Sequence, residues 1–504
     1  MSANTFSHLF YLGDVPRGKL SERIREMLVD RILGGQHPLD APLPSSRGLA
    51  IQLGVARTTI TEVYSALVSE GLIISKDRSG YYICPEYYAY NKFVKRVDVE
   101  QTPGQATGDR PNWASRFRVR PSTQRNISKP NNWQSFPYKF ISGQIDFDQF
   151  PIREWRECSR RALSLNAFKK GGCDSIGEDD PDLVDQVRKR LLPRRGVIAQ
   201  ADEILVTVGS QNALYMIARL LLNRDTKVAI EAPGYPDARN IFDLRSDNLL
   251  HIPVDEQGIV INHDLESCDY VYVTPSHQVP TTVTMPLARR KLLLEKAAEH
   301  DFVIFEDDYE SEVNFDSTAL PSLKSIDRND RVIYFSSVSK TLAPGLRVGY
   351  LVAPRELIKE VRSLRRLMLR HAPTHIQQTL SLFLAQGSYD TLANRLKATY
   401  ERRWRMLLEA IDRHLPSCKP FSARGGSTVW IRGPASLDSV LLAKHAAEEG
   451  ILIEPGDIYF PETQWPCPWF RLGFASIKES DIDPGIEKLA GLLDGATTTN
   501  GTTE

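Results

Sequence analysis

The chain has few of the features that would place it outside the cytosol. Its six cysteines (Cys84, Cys158, Cys173, Cys268, Cys418 and Cys467) are scattered with no C-x-x-C pair. Neither a zinc site nor a disulfide framework is therefore expected, and a reducing compartment fits best. No run approaches 18 uninterrupted apolar residues, so no membrane span is expected. The opening MSANTFSHLFYLGDVPRGK lacks an apolar core before a small-residue cleavage site, so it does not read as a secretory signal. Net charge is missing as well, because 63 basic side chains balance 63 acidic ones. No internal repeat stands out. A cytoplasmic protein without a metal is the expectation.

The overall balance hides an asymmetry. Residues 1–137 hold 18 Lys and Arg against 12 Asp and Glu, and the remainder holds 45 against 51. A basic front on an acidic body points to nucleic acid for the first part only. At 504 residues with 41% hydrophobic content, one core cannot serve the whole chain, and roughly two to four domains are expected. Patterning separates a helical unit over 15–84, an irregular stretch over 85–137 and an α/β body over 138–495. The middle stretch, with QTPGQATGDRPN and RPSTQRNISKPNN, reads as a basic linker. Its bland reading is a solvated tether; otherwise Arg116, Arg118 and Arg120 could touch a DNA backbone or the acidic body.

In the first unit, Leu20, Ile24, Leu28 and Ile32 recur at helical spacing, and Gly34-Gly35 stops the run. Pro44 and Ser45 open a second helix, which Gly54 closes. A third follows after a tight turn, with Ile60, Val63, Tyr64 and Leu67 on its inner face. Two short helices about a turn with Gly, then an alternating LIISKDRSGYYIC, describe a helix-turn-helix with a wing. Arg57, Thr58 and Thr59 at the start of the third helix offer donors to guanine edges and phosphates. The stretch LPSSRGLAIQLGVARTTITEVYSALVSEGLI…SGYYI resembles the winged-helix domain of GntR-family transcription regulators. That resemblance implies contact with double-stranded DNA through Arg47, Arg57, Thr58, Thr59, Thr61 and Gly80. Ala56 stands where the family has Ser or Thr, so the cap of the recognition helix is expected to be missing, at roughly 1 kcal/mol.

In the body, EILVTV, KVAIEA, DYVYVTP, FVIFEDD, RVIYFSS and VGYLVAP read as buried strands between amphipathic helices, which predicts an α/β layer with a mostly parallel sheet. YFSSVSKTLAPGLRVGYLV puts Lys340 at a strand end beside Ser337 and Ser339. Such a lysine suits Schiff-base chemistry, which needs a deprotonated amine. Arg347 can pair with a phosphate. Gly209, Ser210 and Gln211 lie between a strand and a helix start, a cradle of backbone amides. Tyr235 sits in a Pro-Gly turn where a ring can stack on a flat cofactor. Asp307, Asp308 and Tyr309 end a strand, where a carboxylate can keep a pyridine nitrogen protonated.

The order GSQ, PGY, EDDY and SxSK…R resembles the fold-type I aminotransferases that bind pyridoxal 5′-phosphate (PLP), over residues 138–495. The resemblance implies Lys340 as internal aldimine, Asp307 on the pyridine nitrogen, Tyr309 on the ring hydroxyl and Tyr235 stacked on the ring. Ser210, Gln211 and Arg347 would hold the phosphate, with Ser337 and Ser339 assisting. WFRLGFA carries Arg471 where the family binds a substrate carboxylate. The fusion, with TPSHQ (Thr274 to Gln278) and EDDYESE, resembles the MocR subfamily of GntR regulators. That implies a head-to-tail homodimer that reads operator half-sites and responds to an amino acid, an amine or PLP itself. The alternatives are a working amino-acid aminotransferase with accessory DNA binding, and a non-catalytic PLP sensor. Three segments depart from the subfamily. Val279, Pro280, Thr281 and Thr282 replace its aromatic-Pro-Gly pattern, Ile176 stands for a tyrosine, and Asp237 and Arg239 follow Tyr235.

Overall fold

The computed structural model describes residues 19–34, 37–76, 79–86, 111–310, 312–315, 320–421, 424–463 and 465–497. They form two compact units that divide between Phe117 and Arg118.

The first unit has helices α1 (Leu20–Leu33), α2 (Ser46–Leu53) and α3 (Arg57–Ser69), then strands β1 (Ile73–Lys76) and β2 (Gly80–Ile83). The two strands pair antiparallel, Ile73 opposite Ile83, and make the wing. Ser45 caps α2 by accepting from the Gly48 amide at 3.1 Å, and Gly54 ends it in the left-handed region at φ 66°. Ile24, Leu28, Ile32, Ile60, Val63, Tyr64 and Leu67 all enter the core. Leu20 does not: it stands 44% exposed, because α1 begins there and no element covers its first turn. The Tyr64 hydroxyl donates to the Pro44 carbonyl at 2.7 Å, which pins α3 to the start of α2.

The second unit opens with β3 (Tyr138–Lys139) and then builds an eight-stranded sheet. Its strands are β4 (Ile204–Thr207), β5 (Lys227–Ala232), β6 (Asn248–Asp255), β7 (Gly258–Ile259), β8 (Tyr270–Val273), β9 (Val303–Asp308), β10 (Val332–Ser337) and β11 (Gly349–Val352). They lie in the order β4-β11-β10-β9-β8-β5-β6-β7. Strands β10, β9, β8, β5 and β6 run parallel, as the patterning predicts. The β11 strand runs antiparallel to both of its neighbours. Alternate residues feed opposite cores, Ile304 to one face and Phe305 to the other, because helices cover both sides. Further on, β12 (Lys419–Phe421) and β13 (Thr428–Arg432) precede β14 (Ile451–Leu452), which pairs in parallel with β3. With β15 (Glu454–Pro455) and β16 (Trp469–Gly473) they make a four-stranded sheet in the order β12-β13-β16-β15.

The expected linker over 85–137 needs correction at its far end. Residues 87–110 lie outside the described residues, but 118–137 belong to the larger unit. There Arg125 pairs with Asp457 at 2.9 Å, and the Asn240 amide donates to the Arg125 carbonyl at 2.8 Å. Composition could not show this, because the stretch is held by polar contacts to distant residues rather than by a periodic apolar face. Arg116, Arg118 and Arg120 are exposed.

Candidate functional site: a cavity at the strand ends and an exposed recognition helix

In the parallel block, strand C-termini share one edge of the sheet, where α/β proteins bind their ligands. Asp307 ends β9 and Ser337 ends β10, while Thr274 and Tyr235 follow β8 and β5. Because β11 is antiparallel, its beginning reaches the same edge, so Arg347 arrives there as well. A cavity of about 420 Å³ opens at this edge. It gathers Ser210, Gln211, Tyr235, Asp307, Tyr309, Ser337, Ser339, Lys340, Arg347 and Arg471, every body residue that the sequence singles out as a site residue.

One end of the cavity is built for an anion. Helix α4 (Ser210–Leu221) begins here with free amides behind Gly209, whose φ is 81°. A Cβ on Gly209 would stand 2.6 Å from Arg347 Nη2, and one on Gly349 would stand 2.8 Å from the Ser210 nitrogen. Only glycines let the guanidinium, β11 and the helix start crowd together. Ser337 Oγ donates to Ser339 Oγ at 2.8 Å and accepts from the Ser339 amide at 3.0 Å.

At the centre, burial pushes the Asp307 carboxyl up to about 7, although the Tyr272 hydroxyl donates to its Oδ2 at 2.9 Å. Its Oδ1 and the Tyr309 hydroxyl have no hydrogen-bond partner in the protein. Burial also lowers the Lys340 pKa, which favours the neutral amine; its Nζ lies 5.5 Å from the centre of the Tyr309 ring. At the other end, Arg471 donates from Nε to Thr428 at 3.0 Å and from Nη1 to the Tyr459 hydroxyl at 3.1 Å. Glu454 lies 3.7 Å from that guanidinium.

Sequence reasoning missed several wall residues. Tyr272 was legible in principle, because it stands two residues before Thr274 of the TPSHQ motif, on the same side of a strand that ends at the site. Ile127, Lys129, Ser142 and Gly143 gave no such signal. Within TPSHQ, Thr274 donates to Glu231 at 2.6 Å and Gln278 donates to the Pro233 carbonyl at 2.8 Å, so the motif mainly braces the wall. Val279 lines the cavity. Thr282 takes φ 62°, a conformation that suits the glycine expected there. Ile176 is not among the lining residues. Asp237 lines the cavity and accepts from the Tyr235 hydroxyl at 2.9 Å, whereas Arg239 turns away to the Phe460 carbonyl at 2.6 Å.

In the first unit, Arg47, Arg57, Thr58, Thr61 and Gly80 are exposed and Thr59 is half-buried. The Thr61 hydroxyl donates to the Arg57 carbonyl at 3.0 Å, so it offers DNA an acceptor rather than a donor. Ala56 gives α3 no side-chain cap.

Residues 138–489 match the family described as aminotransferase class I and II, and residues 20–83 match the bacterial regulatory proteins of the gntR family. Over 485 residues, 96% of this chain and 98% of the relative, the sequence is 37% identical to the HTH-type transcriptional regulator TauR of Rhodobacter capsulatus. It is 27% identical to the probable rhizopine catabolism regulatory protein MocR of Rhizobium meliloti, over 94% of this chain and 93% of that one. The chain belongs to the MocR-type regulators of the GntR family. The fold of this MocR-type chain also resembles LysN, the α-aminoadipate aminotransferase of Thermus thermophilus, solved with N-(5′-phosphopyridoxyl)-L-leucine. That likeness has a TM-score of 0.69 and 28% identity, over 77% of this chain and 99% of that one. The MocR-type body thus has a fold-type I aminotransferase architecture, and its cofactor is PLP.

The residues present fit that cofactor. The unpartnered Asp307 Oδ1 suits a pyridinium N–H, and the unpartnered Tyr309 hydroxyl suits a ring hydroxyl. The glycine-lined cradle at Arg347 suits a phosphate. Among the described residues of this MocR-type chain no cluster could hold a metal, and no helix is long and apolar enough to cross a membrane.

Proposed function

We propose that this DNA-binding regulator uses its aminotransferase-like body to sense an amino-acid or amine effector at Lys340. The observation that carries the reading is the convergence in one cavity of a desolvated lysine, two unpartnered polar atoms and an anion cradle. Bound there, PLP supplies an aldehyde that primary amines capture and a ring that withdraws electrons from the neighbouring carbon. Lys340 would supply the resident amine, its pKa lowered by burial, and an effector amine would compete for its place. Asp307 holds the proton at the ring nitrogen, and Tyr309 donates at the ring oxygen. Ser210, Gln211, Ser337, Ser339 and Arg347 hold the phosphate, Tyr235 stacks on the ring, and Arg471 binds an effector carboxylate. Effector binding would then shift the balance between two states that differ in DNA affinity; a few kcal/mol of differential affinity suffices.

Arg47, Arg57, Thr58, Thr59, Thr61 and Gly80 read operator half-sites, and a head-to-tail homodimer in the cytoplasm places two such readers. Five large apolar side chains exposed between Phe147 and Phe168 support self-association.

The test joins two measurements. Borohydride should fix a pyridoxyl tag on Lys340, and an electrophoretic shift on the protein's own upstream DNA should respond to amino acids. Lys340→Ala should lose both the visible colour and that response. A variant that keeps its response to amino acids would refute sensing at Lys340.

A further inference from the structure

Beyond the anion cradle, the far wall of the cavity comes from the opening stretch of the larger unit. Ile127 and Lys129 alternate along this stretch, so both face the same way and both line the cavity. The stretch is tied down before them, where Gln124 donates to the Asn240 carbonyl at 3.0 Å and Asn126 accepts from the Asn240 amide at 2.8 Å. It is tied down after them by the β3 pairing.

Lys129 Nζ donates to the Ser142 carbonyl at 2.5 Å, and among the described residues it has no ion-pair partner. Two of its three N–H donors are left for another acceptor. Gly143, at φ 70°, lies between the two lysines of the cavity. A Cβ there would stand 3.4 Å from Lys340 Nζ and 3.7 Å from Lys129 Nζ. An amine held at Lys340 thus lies within a short molecule's reach of Lys129.

The charges around this wall do not balance. Glu454 is buried, and its Oε1 accepts from the Ser142 amide and hydroxyl at 2.8 and 2.7 Å. Its Oε2 accepts from Tyr459 at 3.0 Å and faces Arg471. Glu454 is thus shared between Arg471 and Lys129, and one carboxylate faces two cations. An incoming acid group would complete this wall, whereas a ligand ending in a second cation or a bare alkyl group would leave a half-buried charge unpaired.

We propose that Lys129 is a specificity-determining residue: with Arg471 it holds the acid group of an amino-acid effector and discriminates against amines that lack one. This rests on the reading of the cavity as a cofactor and effector site. It narrows the effector class to amino acids, and it makes the opening stretch of the larger unit part of the effector pocket.

The experiment titrates the full-length, PLP-loaded protein with matched pairs and follows the visible absorbance. The pairs are L-alanine and β-alanine against ethylamine, and L-lysine against 1,5-diaminopentane. In the parent at least one amino acid should act at a concentration tenfold or more below that of its amine. Lys129→Met, which keeps the aliphatic length, should cut that preference at least tenfold, and Lys129→Arg should keep it. Borohydride tagging of Lys340 in each variant confirms that the cofactor still sits in place. If Lys129→Met keeps the parental preference, or if Lys129→Arg loses it as well, the proposal is overturned while the cofactor site stands. If the parent shows no visible band, the reading of the cavity falls and this proposal falls with it.

Discussion

Asp307 shows how one residue can be wrong for the empty fold and right for its ligand. Burial pushes its carboxyl from 3.8 up to about 7, so the cofactor-free protein holds a proton there that an unfolded chain would release. Between those two values the folded state binds more protons than the unfolded one, and stability falls as pH rises through that window. Asp307→Asn removes this dependence. The cofactor-free variant should melt roughly 3–5 °C above the cofactor-free parent at pH 8, with the gap closing toward pH 4. Thermal unfolding across that pH range checks it. Adding PLP should reverse the order, because the asparagine cannot balance a pyridinium. The sequence marked Asp307 by its place after an apolar strand. It gave no sign of the hydrogen bond from Tyr272, which reaches Oδ2 and leaves Oδ1 without a partner in the protein.

At the scale of elements, α3 lacks something that α2 has. Ser45 caps α2, but Ala56 at the same position of α3 has no side-chain oxygen to offer the first-turn amides. Ala56→Ser should stabilise the first unit by about 1 kcal/mol, seen as a higher unfolding midpoint of that unit in the full chain. That deficit was readable from local sequence alone. The direction of β11 was not. VGYLVAP has the same composition as the parallel strands, yet it pairs antiparallel with β10 and β4. That reversal brings Arg347 to the edge where the parallel strands end. Periodicity reports which residues are buried and not which way a strand runs, so the phosphate-end geometry needed the sheet order.

Over the whole molecule, a DNA-reading unit and a cofactor-binding unit follow one another in a chain of no net charge. Their chemistries should therefore separate under salt. DNA affinity should fall steeply as salt rises, through counterion release, while the visible spectrum of the bound cofactor should barely change. Arg57→Ala should weaken operator binding, lower the slope of log affinity against log salt by about one, and leave the spectrum as it is. Binding isotherms at several salt concentrations, read beside absorbance, check this.

What sequence determined on its own was local: the helix-turn-helix with its wing, six strands of the body, and the polar residues that follow those strands. Each depends on spacing of two or three to four residues, or on a motif within a few positions of a strand end. Tertiary structure alone decided which distant pieces share a wall. Lys129 looked like part of a tether until the fold set it beside Gly143, Lys340 and Arg471. Polar contacts between residues far apart in the chain leave no periodic trace along it, and those contacts hold the 118–137 stretch over the cavity.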